Sequence, residues 1–598
     1  MRGRSGWRNR ATWMLLVAGS VLGPATARAE APKAARWVPE GALIYVELTN
    51  PGQVIDQLRC EPVQAVLGAV PGYRKAFESD GFKQLLTVVD VIAEKLDTTA
   101  EKLARDLTGG GVVLAIDARA GKEPNTALLI TPTDPNVLKR AVETLVELAR
   151  KDAESKGNPD PFKPAEYRGT TAYAAGPKAG FAIVEGVLVF GDRGDTVKAI
   201  VDRALDGPKA GASILDNADW KARRAQVGPD DVAWSFIRLG RLRELDPKKF
   251  GFKEVPPPVT FLFGSWVEAL RKTPWISAKL VWNARRLGAD IELPTPPGGF
   301  PESLKGYVPP KGSMAPPTLQ PPGTIASLGL WRDFSTIWES RAELLTPEQV
   351  QNLAKLDTFA GQFFGGRDFG SGVLGAVGKN WRLVVAHQDY AALKPAPDVK
   401  LPAFALVADL NPDDAEFAQR LKAAFQSFVG LSNLGAAQKT KAPPLMLGSE
   451  AVGDVTILTA RYLPAEKNEG DAKEPVNRRH NFSPSAAQVN AHFILSSTTG
   501  LARDLVKTLK QPVAPTATPA TLNMIADGSA LARLVDANRN HMVMQNMLDK
   551  GNDKTRAEGE IGTLSRLLRY FGQGKLSIQD NQSDIVRIGL HFNVGGEK

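Results

Sequence analysis

Histidine is the side chain best suited to moving protons or holding metals near neutral pH. This chain has five, His387, His480, His492, His541 and His591, all in its second half. His387 lies in the run Leu383-Val384-Val385-Ala386-His387-Gln388-Asp389. Alternate residues of a strand share a face, so His387 and Asp389 could give a metal two ligands. A metal site needs a third and usually a fourth ligand, and the spacing places none. A strand-end histidine beside a turn is the simpler reading. His591 alternates with Leu590 and Phe592, which puts it with Arg587 on a polar sheet face. His480 follows Arg478 and Arg479, where an anion contact competes with a plain solvated loop. His492 and His541 have no partner readable from spacing.

The other echoes of chemistry fail on their spacing. Gly370, Gly372, Gly375 and Gly378 precede Lys379 in the manner of a phosphate loop. Such a loop needs glycine where Val373 stands and serine or threonine where Asn380 stands. Asp368-Phe369-Gly370 resembles the kinase metal-binding triplet, but its partner motifs are missing. The glycines near Thr108 and Phe369 each precede a strand, and a tight turn with positive φ accounts for them. Cys60 is the only cysteine. It excludes an intramolecular disulfide and is expected to be a small buried residue at a helix end. Dispersed carboxylates such as Asp333, Glu339, Asp368 and Asp389 leave open an acid pair of the glycosidase kind. No catalytic, cofactor-binding or metal-ligating residue is assigned, and no cofactor is expected.

The elements that would position these residues fall into a repeat. Ala127–Leu148 aligns without gaps on Phe404–Phe425, each reading as an apolar strand, a proline-marked turn and an amphipathic helix. Phe417, Leu421 and Phe425 recur at helical spacing. Asp134 and Asn411 stand before Pro135 and Pro412, the arrangement of an N-cap followed by a first-turn proline. Collinear pairs follow from Ala42 and Thr324, Thr108 and Phe369, Leu188 and Phe493, Asp231 and Gly528, and Ala278 and Gly574. The last pair reads as a β-hairpin in both copies. The expected fold is α+β: a tandem duplication of two similar domains, 37–293 and 324–595. Each is expected to be a mainly antiparallel twisted sheet with packed helices. Residues 294–323 hold ten prolines. They are expected to form a semi-rigid linker, or to lie along one domain's surface. Residues 465–483, charged and poor in apolar side chains, are expected to be an exposed loop.

Residues 1–29 have the pattern of a signal peptide. Arg2, Arg4, Arg8 and Arg10 precede an apolar run from Ala11 to Leu22, and Ala27-Arg28-Ala29 fits cleavage near Ala29. The formal charge is +9. Removing the five basic residues of that segment leaves 69 basic against 65 acidic residues, or +4. With charges interspersed, a nucleic-acid partner is not expected. The apolar run is too short to span a bilayer, so a periplasmic or secreted product with no transmembrane segment follows.

Three segments, Pro321–Leu345, Lys400–Pro412 and Arg478–Val506, resemble parts of large secreted bacterial proteins known only as containing domains of unknown function. The resemblance is clearest over 321–506. It implies a bacterial cell-envelope setting and transfers no catalytic residue. It draws attention to Arg332, Asp333 and Trp338 as a candidate surface site beside His387 and Asp389, although an Arg332–Asp333 pair next to a buried tryptophan is an ordinary structural arrangement. The expected function is that of a non-enzymatic binding or scaffolding protein acting on an envelope protein or polymer. The alternative is a secreted hydrolase of envelope polymers using dispersed carboxylates.

Overall fold

The computed structural model describes residues 31–595 apart from 70, 119–122, 248–254, 297–298, 415, 440–443, 463–478, 513–519 and 580–583. The signal-peptide segment lies outside the described residues, as does 465–478 of the expected exposed loop. The close of that loop is packed. Arg479–Asn481 form a 3-10 turn, and Asn481 is buried, donating to the carbonyl of Val399 and accepting from the N–H of Leu401.

The chain forms two compact units, one of residues up to 252 with 273–294, the other of 253–272 with 295–598. Residues 253–272 therefore depart from the first repeat expected over 37–293. In the first unit the strands are β1 (Ile44–Leu48), β2 (Gly111–Asp117), β3 (Asn125–Thr131), β4 (Phe162–Tyr167) and β5 (Thr170–Ala175), then β6 (Ala179–Val184), β7 (Val187–Gly191), β8 (Asp231–Ile237), β9 (Ile276–Trp282) and β10 (Arg286–Pro294). Every pairing among them is antiparallel, in the order β4-β5-β6-β7-β3-β2-β1-β8-β9-β10. Helix α1 (Pro135–Ser155) starts at the expected place, capped by Asp134, which accepts from the N–H of Asn136. Its Leu138, Val142 and Val146 pack on Phe181 of β6, and α2 (Gly194–Asp206) follows β7.

A second core element of this unit is polar at its centre. Glu47 of β1 and Arg224 are both buried and meet at 2.8 Å, with the Tyr45 hydroxyl donating to Glu47 at 2.9 Å. Tyr45, Trp220 and Trp234 pack edge-on or tilted around them with centroids 5.4–5.6 Å apart. Burial pushes the Tyr45 hydroxyl well above its ordinary pKa, and the neighbouring Glu47 carboxylate adds to that. Cys60 is half-buried, a shallower position than expected.

The second unit contains β11 (Thr324–Trp331), β12 (Val377–Ala386), β13 (Ala403–Leu410), β14 (Leu445–Val452) and β15 (Val455–Tyr462), then β16 (Ser485–Val489), β17 (His492–Ser496), β18 (Leu522–Asp527), β19 (Gln573–Gln579) and β20 (Ile585–Asn593). Their order is β14-β15-β16-β17-β13-β12-β11-β18-β19-β20, again antiparallel throughout. It is the order of the first unit with every number raised by ten. Helix α3 (Pro257–Lys272) belongs to this unit, and α4 (Phe417–Lys439) and α5 (Thr499–Leu509) lie on opposite faces of the sheet. Leu501, Leu505 and Val506 of α5 pack on Val384, Val407 and Ile494 of one face. Phe417, Phe425 and Val429 of α4 pack on Leu410, Ala486 and Phe493 of the other.

Several local expectations shift. Helix α4 begins at Phe417, not at Pro412; Asn411 accepts from the N–H of Asp413 as Asp134 does from Asn136, but a turn follows it before the helix starts. The segment matched to β2 is a π-helical turn, Phe369–Leu374, capped by Asp368, and β12 starts only at Val377. Gly111 has φ +105°, but none of Gly370, Gly372, Gly375 and Gly378 has positive φ. Gly370 is required for space instead, since a Cβ there would collide with the Glu339 carboxylate and the Trp338 ring. Gly528–Ala537, matched to strand β8, is a helix, and the true counterpart β18 ends just before it.

The proline-rich 294–323 is not a free spacer. Leu304, Tyr307, Ala315 and Leu319 are buried in the second unit, and the N–H of Ala315 donates to Ala520 at 2.7 Å. The Pro316 carbonyl lies so close to Gly329 of β11 that no larger residue fits there. Extended proline backbone, lacking N–H groups, can lie against a sheet without leaving donors unsatisfied.

Candidate functional site

Arg332 follows β11 directly and is fully buried. Its guanidinium donates to the carbonyls of Leu262 (3.0 and 3.2 Å), Tyr307 (3.0 Å) and Trp331 (2.8 Å). It also lies over the rings of Tyr307 (5.3 Å) and Trp266 (5.7 Å). The Leu262 carbonyl is available because α3 leaves helical geometry at Phe263, the next residue. One planar fork thus joins the broken helix, the 3-10 turn Glu302–Tyr307 and the end of β11. Tyr307 is held from its other end as well, its hydroxyl donating to the Thr260 carbonyl at 2.6 Å.

Asp333 does not complete an Arg332–Asp333 pair. It caps the short helix Phe334–Glu339, accepting from the N–H of Thr336, and binds Lys379 at 2.7 Å. Asp333, Lys379, Trp331 and Lys305 line an open hollow of about 540 Å³. Trp338 is buried between Phe261 and Phe369, with Arg341 over its ring at 4.6 Å. The three residues singled out by resemblance are therefore neighbours in the chain with separate duties, and Arg332 and Trp338 are closed to a ligand.

His387 and Asp389 form no ligand pair. The His387 Nε2 meets the Ala530 carbonyl at 2.7 Å, while Asp389 is exposed and closes a turn by accepting from the N–H groups of Ala391 and Ala392. No group of three metal-binding side chains occurs among the described residues. Asp368 accepts from Ser371 and Gly372, and those bonds, the Ser371 hydroxyl first, hold its carboxyl below the usual range. A carboxylate so stabilised is a poor general acid.

Two features were not legible from spacing. The first is a polar row across the inner sheet face. Asp409 of β13 sits opposite His492 of β17 and accepts from its Nδ1 at 2.7 Å; Arg382 and Asn380 of β12 reach the same carboxylate at 3.0 Å. Burial pushes the Asp409 carboxyl up, but the His492 hydrogen bond, the Arg382 charge and the Asn380 amide together outweigh it and hold the pKa below its usual range.

The second is the opposite face. Strand register lines up Leu495, Leu406, Leu383, Leu328, Met524, Leu576 and Leu590 from β17 across to β20. None of the seven is buried, and Leu495, Leu406, Leu383, Leu590 and the adjacent Phe404 are exposed. By strand register Leu114 and Leu128 of the first unit match Leu383 and Leu406, one residue away from the ungapped sequence alignment, and both are buried. Monomeric soluble proteins rarely leave apolar residues exposed in such a continuous row.

No helix among the described residues is long and apolar enough to cross a membrane. With Cys60 as the only cysteine, the chain has no internal disulfide. No family model matches the chain, and no curated protein matches it. Among solved structures, it is similar to crystal form IV of TP0453, with 10% identity over 44% of this chain and 81% of that one and a TM-score of 0.24. Crystal form I of TP0453 aligns with 12% identity over 46% and 82%, at a TM-score of 0.22. Likeness at that level assigns neither fold nor activity.

Proposed function

We propose that the protein is an exported cell-envelope protein that binds a protein partner without catalysis, and that its two units arose by tandem duplication. The duplication is supported by the strand order the two sheets share. The binding role rests on one observation, the leucine and methionine row of the second unit's sheet, whose Leu406 and Leu383 are exposed where the register-equivalent Leu128 and Leu114 of the first unit are buried. The partner it fits presents an apolar segment of comparable width. Hydrogen-bonded charge in the polar row lies on the other face, where it fixes the strands.

A photo-crosslinking residue placed at Leu406 tests this in whole cells. One discrete envelope-protein adduct is expected from Leu406 and none from the same residue at exposed Lys163. Equal labelling from both positions would remove the support. Fractionation tests the location, and recovery from the cytoplasm with residues 1–29 still attached would refute export.

A further inference from the structure

The two ends of the matching sheets are finished differently. β4, the outer strand of the first unit, carries Lys163, Pro164 and Glu166, the residues that keep an edge from pairing further. β14, its counterpart, reads Leu-Met-Leu-Gly-Ser-Glu-Ala-Val, with neither lysine nor proline, and Met446 and Leu447 are exposed. The helices beside the two edges differ in the same sense. The exposed side of α1 is charged, with Lys139 facing Glu143 and Lys151 facing Glu147. On α4, Phe428, Leu431 and Leu434 are each more than half exposed.

The register of the β14–β15 hairpin shows which groups of β14 remain free. Val452 pairs with Val455 around the two-residue turn Gly453-Asp454, with Gly453 at φ +64°. In such a hairpin the flanking pair is hydrogen-bonded and the alternation then runs back along the strand. Glu450, Gly448 and Met446 bond to β15, while Ala451, Ser449, Leu447 and Leu445 point their N–H and C=O groups outward. Asn433 of α4 confirms the phase: its side-chain amide accepts from the N–H of Leu445 and donates to its carbonyl, at 2.7 and 2.8 Å. That amide fills the end of the edge, and Leu447, Ser449 and Ala451 have no outward backbone partner among the described residues.

We propose that β14 pairs with β14 of a second copy of this chain, antiparallel about a two-fold axis at Ser449. Leu447 then faces Ala451 of the second copy and Ser449 faces its equivalent, each facing pair exchanging both N–H···O=C bonds. Met446 meets Val452 and Gly448 meets Glu450, so no like charges oppose each other, and Glu450 stays neutralised by Arg503 at 2.9 Å. The axis stands perpendicular to the joined sheet, so both α4 helices lie on the same face. Leu445 and Leu447 share that face, Leu445 packing with Phe425 and Val429 of α4. The open Leu406 row has no part in this pairing.

Sedimentation of the full chain over a concentration series tests the proposal, with a monomer–dimer equilibrium expected. Ser449→Pro removes an outward N–H and leaves the bonds to β15 intact. It is expected to give a monomer with unchanged circular dichroism, whereas Leu406→Asp leaves the dimer in place. In a Cys60→Ser background, Ser449→Cys is expected to form an intermolecular disulfide on mild oxidation, since facing residues at such a pair are about 5.5 Å apart. Met446→Cys, distant from its own copy in this register, is expected not to. A wild-type monomer at all concentrations, a dimeric Ser449→Pro, or equal crosslinking at 446 and 449 would each overturn it.

Discussion

Replacing Arg332 separates a structural from a ligand-binding role for the residue that resemblance first brought forward. Arg332→Leu removes the donors that serve the carbonyls of Leu262 and Tyr307 in a buried place. Each unsatisfied buried carbonyl costs about 1–3 kcal/mol. The lost stacking on Trp266 and Tyr307 adds about 1 kcal/mol. After allowance for the apolar burial of leucine, the second unit is expected to lose about 4 kcal/mol. Arg332→Lys keeps the charge but loses the planar fork, and about half that loss is expected. Global denaturation of a two-unit chain mixes the two units, whereas local opening reads this anchor directly. Hydrogen exchange of peptides covering Leu262 and Tyr307 is expected to accelerate by two to three orders of magnitude, a fold-change of about 10 per 1.4 kcal/mol. Peptides of β2 in the first unit serve as the reference and are expected to hold. Unchanged exchange in Arg332→Leu, together with lost partner binding, would refute the structural assignment.

Two further outcomes follow from buried charge. Glu47→Gln strands the Arg224 guanidinium in the aromatic cluster of the first unit, at a cost of about 3–5 kcal/mol, whereas Glu47→Leu with Arg224→Met recovers most of it; thermal unfolding of the single and double variants checks this. The depressed carboxyl pKa of Asp409 stabilises the fold above its unfolded-state pKa, and that contribution disappears as pH falls through the folded value. Asp409→Asn is therefore expected to be destabilised near neutral pH, by about 2 kcal/mol, and to show a shallower loss of stability in acid than the wild type, measured by urea unfolding at stepped pH. An unchanged acid slope would exclude Asp409 as a source of that pH dependence.

Local pattern carried the sequence reading well where one residue determines an outcome. Asp134 before Pro135 specifies the start of α1 because cap and proline act within one turn. Asn411 before Pro412 makes the same bond to the N–H two residues on, yet α4 starts only at Phe417, since that bond closes a turn as readily as it caps a helix. The glycines around Phe369 read as turn formers because sequence shows conformational freedom and not the space left beside Trp338 and Glu339. Arg332 was legible as a candidate but not as a three-carbonyl anchor, for two of those carbonyls lie 70 and 25 positions away. Asp409 and His492, 83 residues apart, meet only through the pairing of β13 with β17. The one available signal was parity, since Asp409 continues the inward series Ala403, Ala405 and Val407. The open leucine row escaped for the same reason, as each strand contributes a single residue.

Residues 253–272 are an excursion of the chain out of one unit and back, after which β9 and β10 complete the first sheet. This interleaving makes the protein indivisible at any single peptide bond. A fragment ending at Pro294 would carry α3 without Arg332 and Tyr307, its anchors, and a fragment beginning at Thr295 would keep those anchors and lack the helix. On a ribosome making the chain from its amino end, α3 is synthesised before either anchor. Its apolar side chains must wait, and that interval is when a folding helper or a protease would meet them.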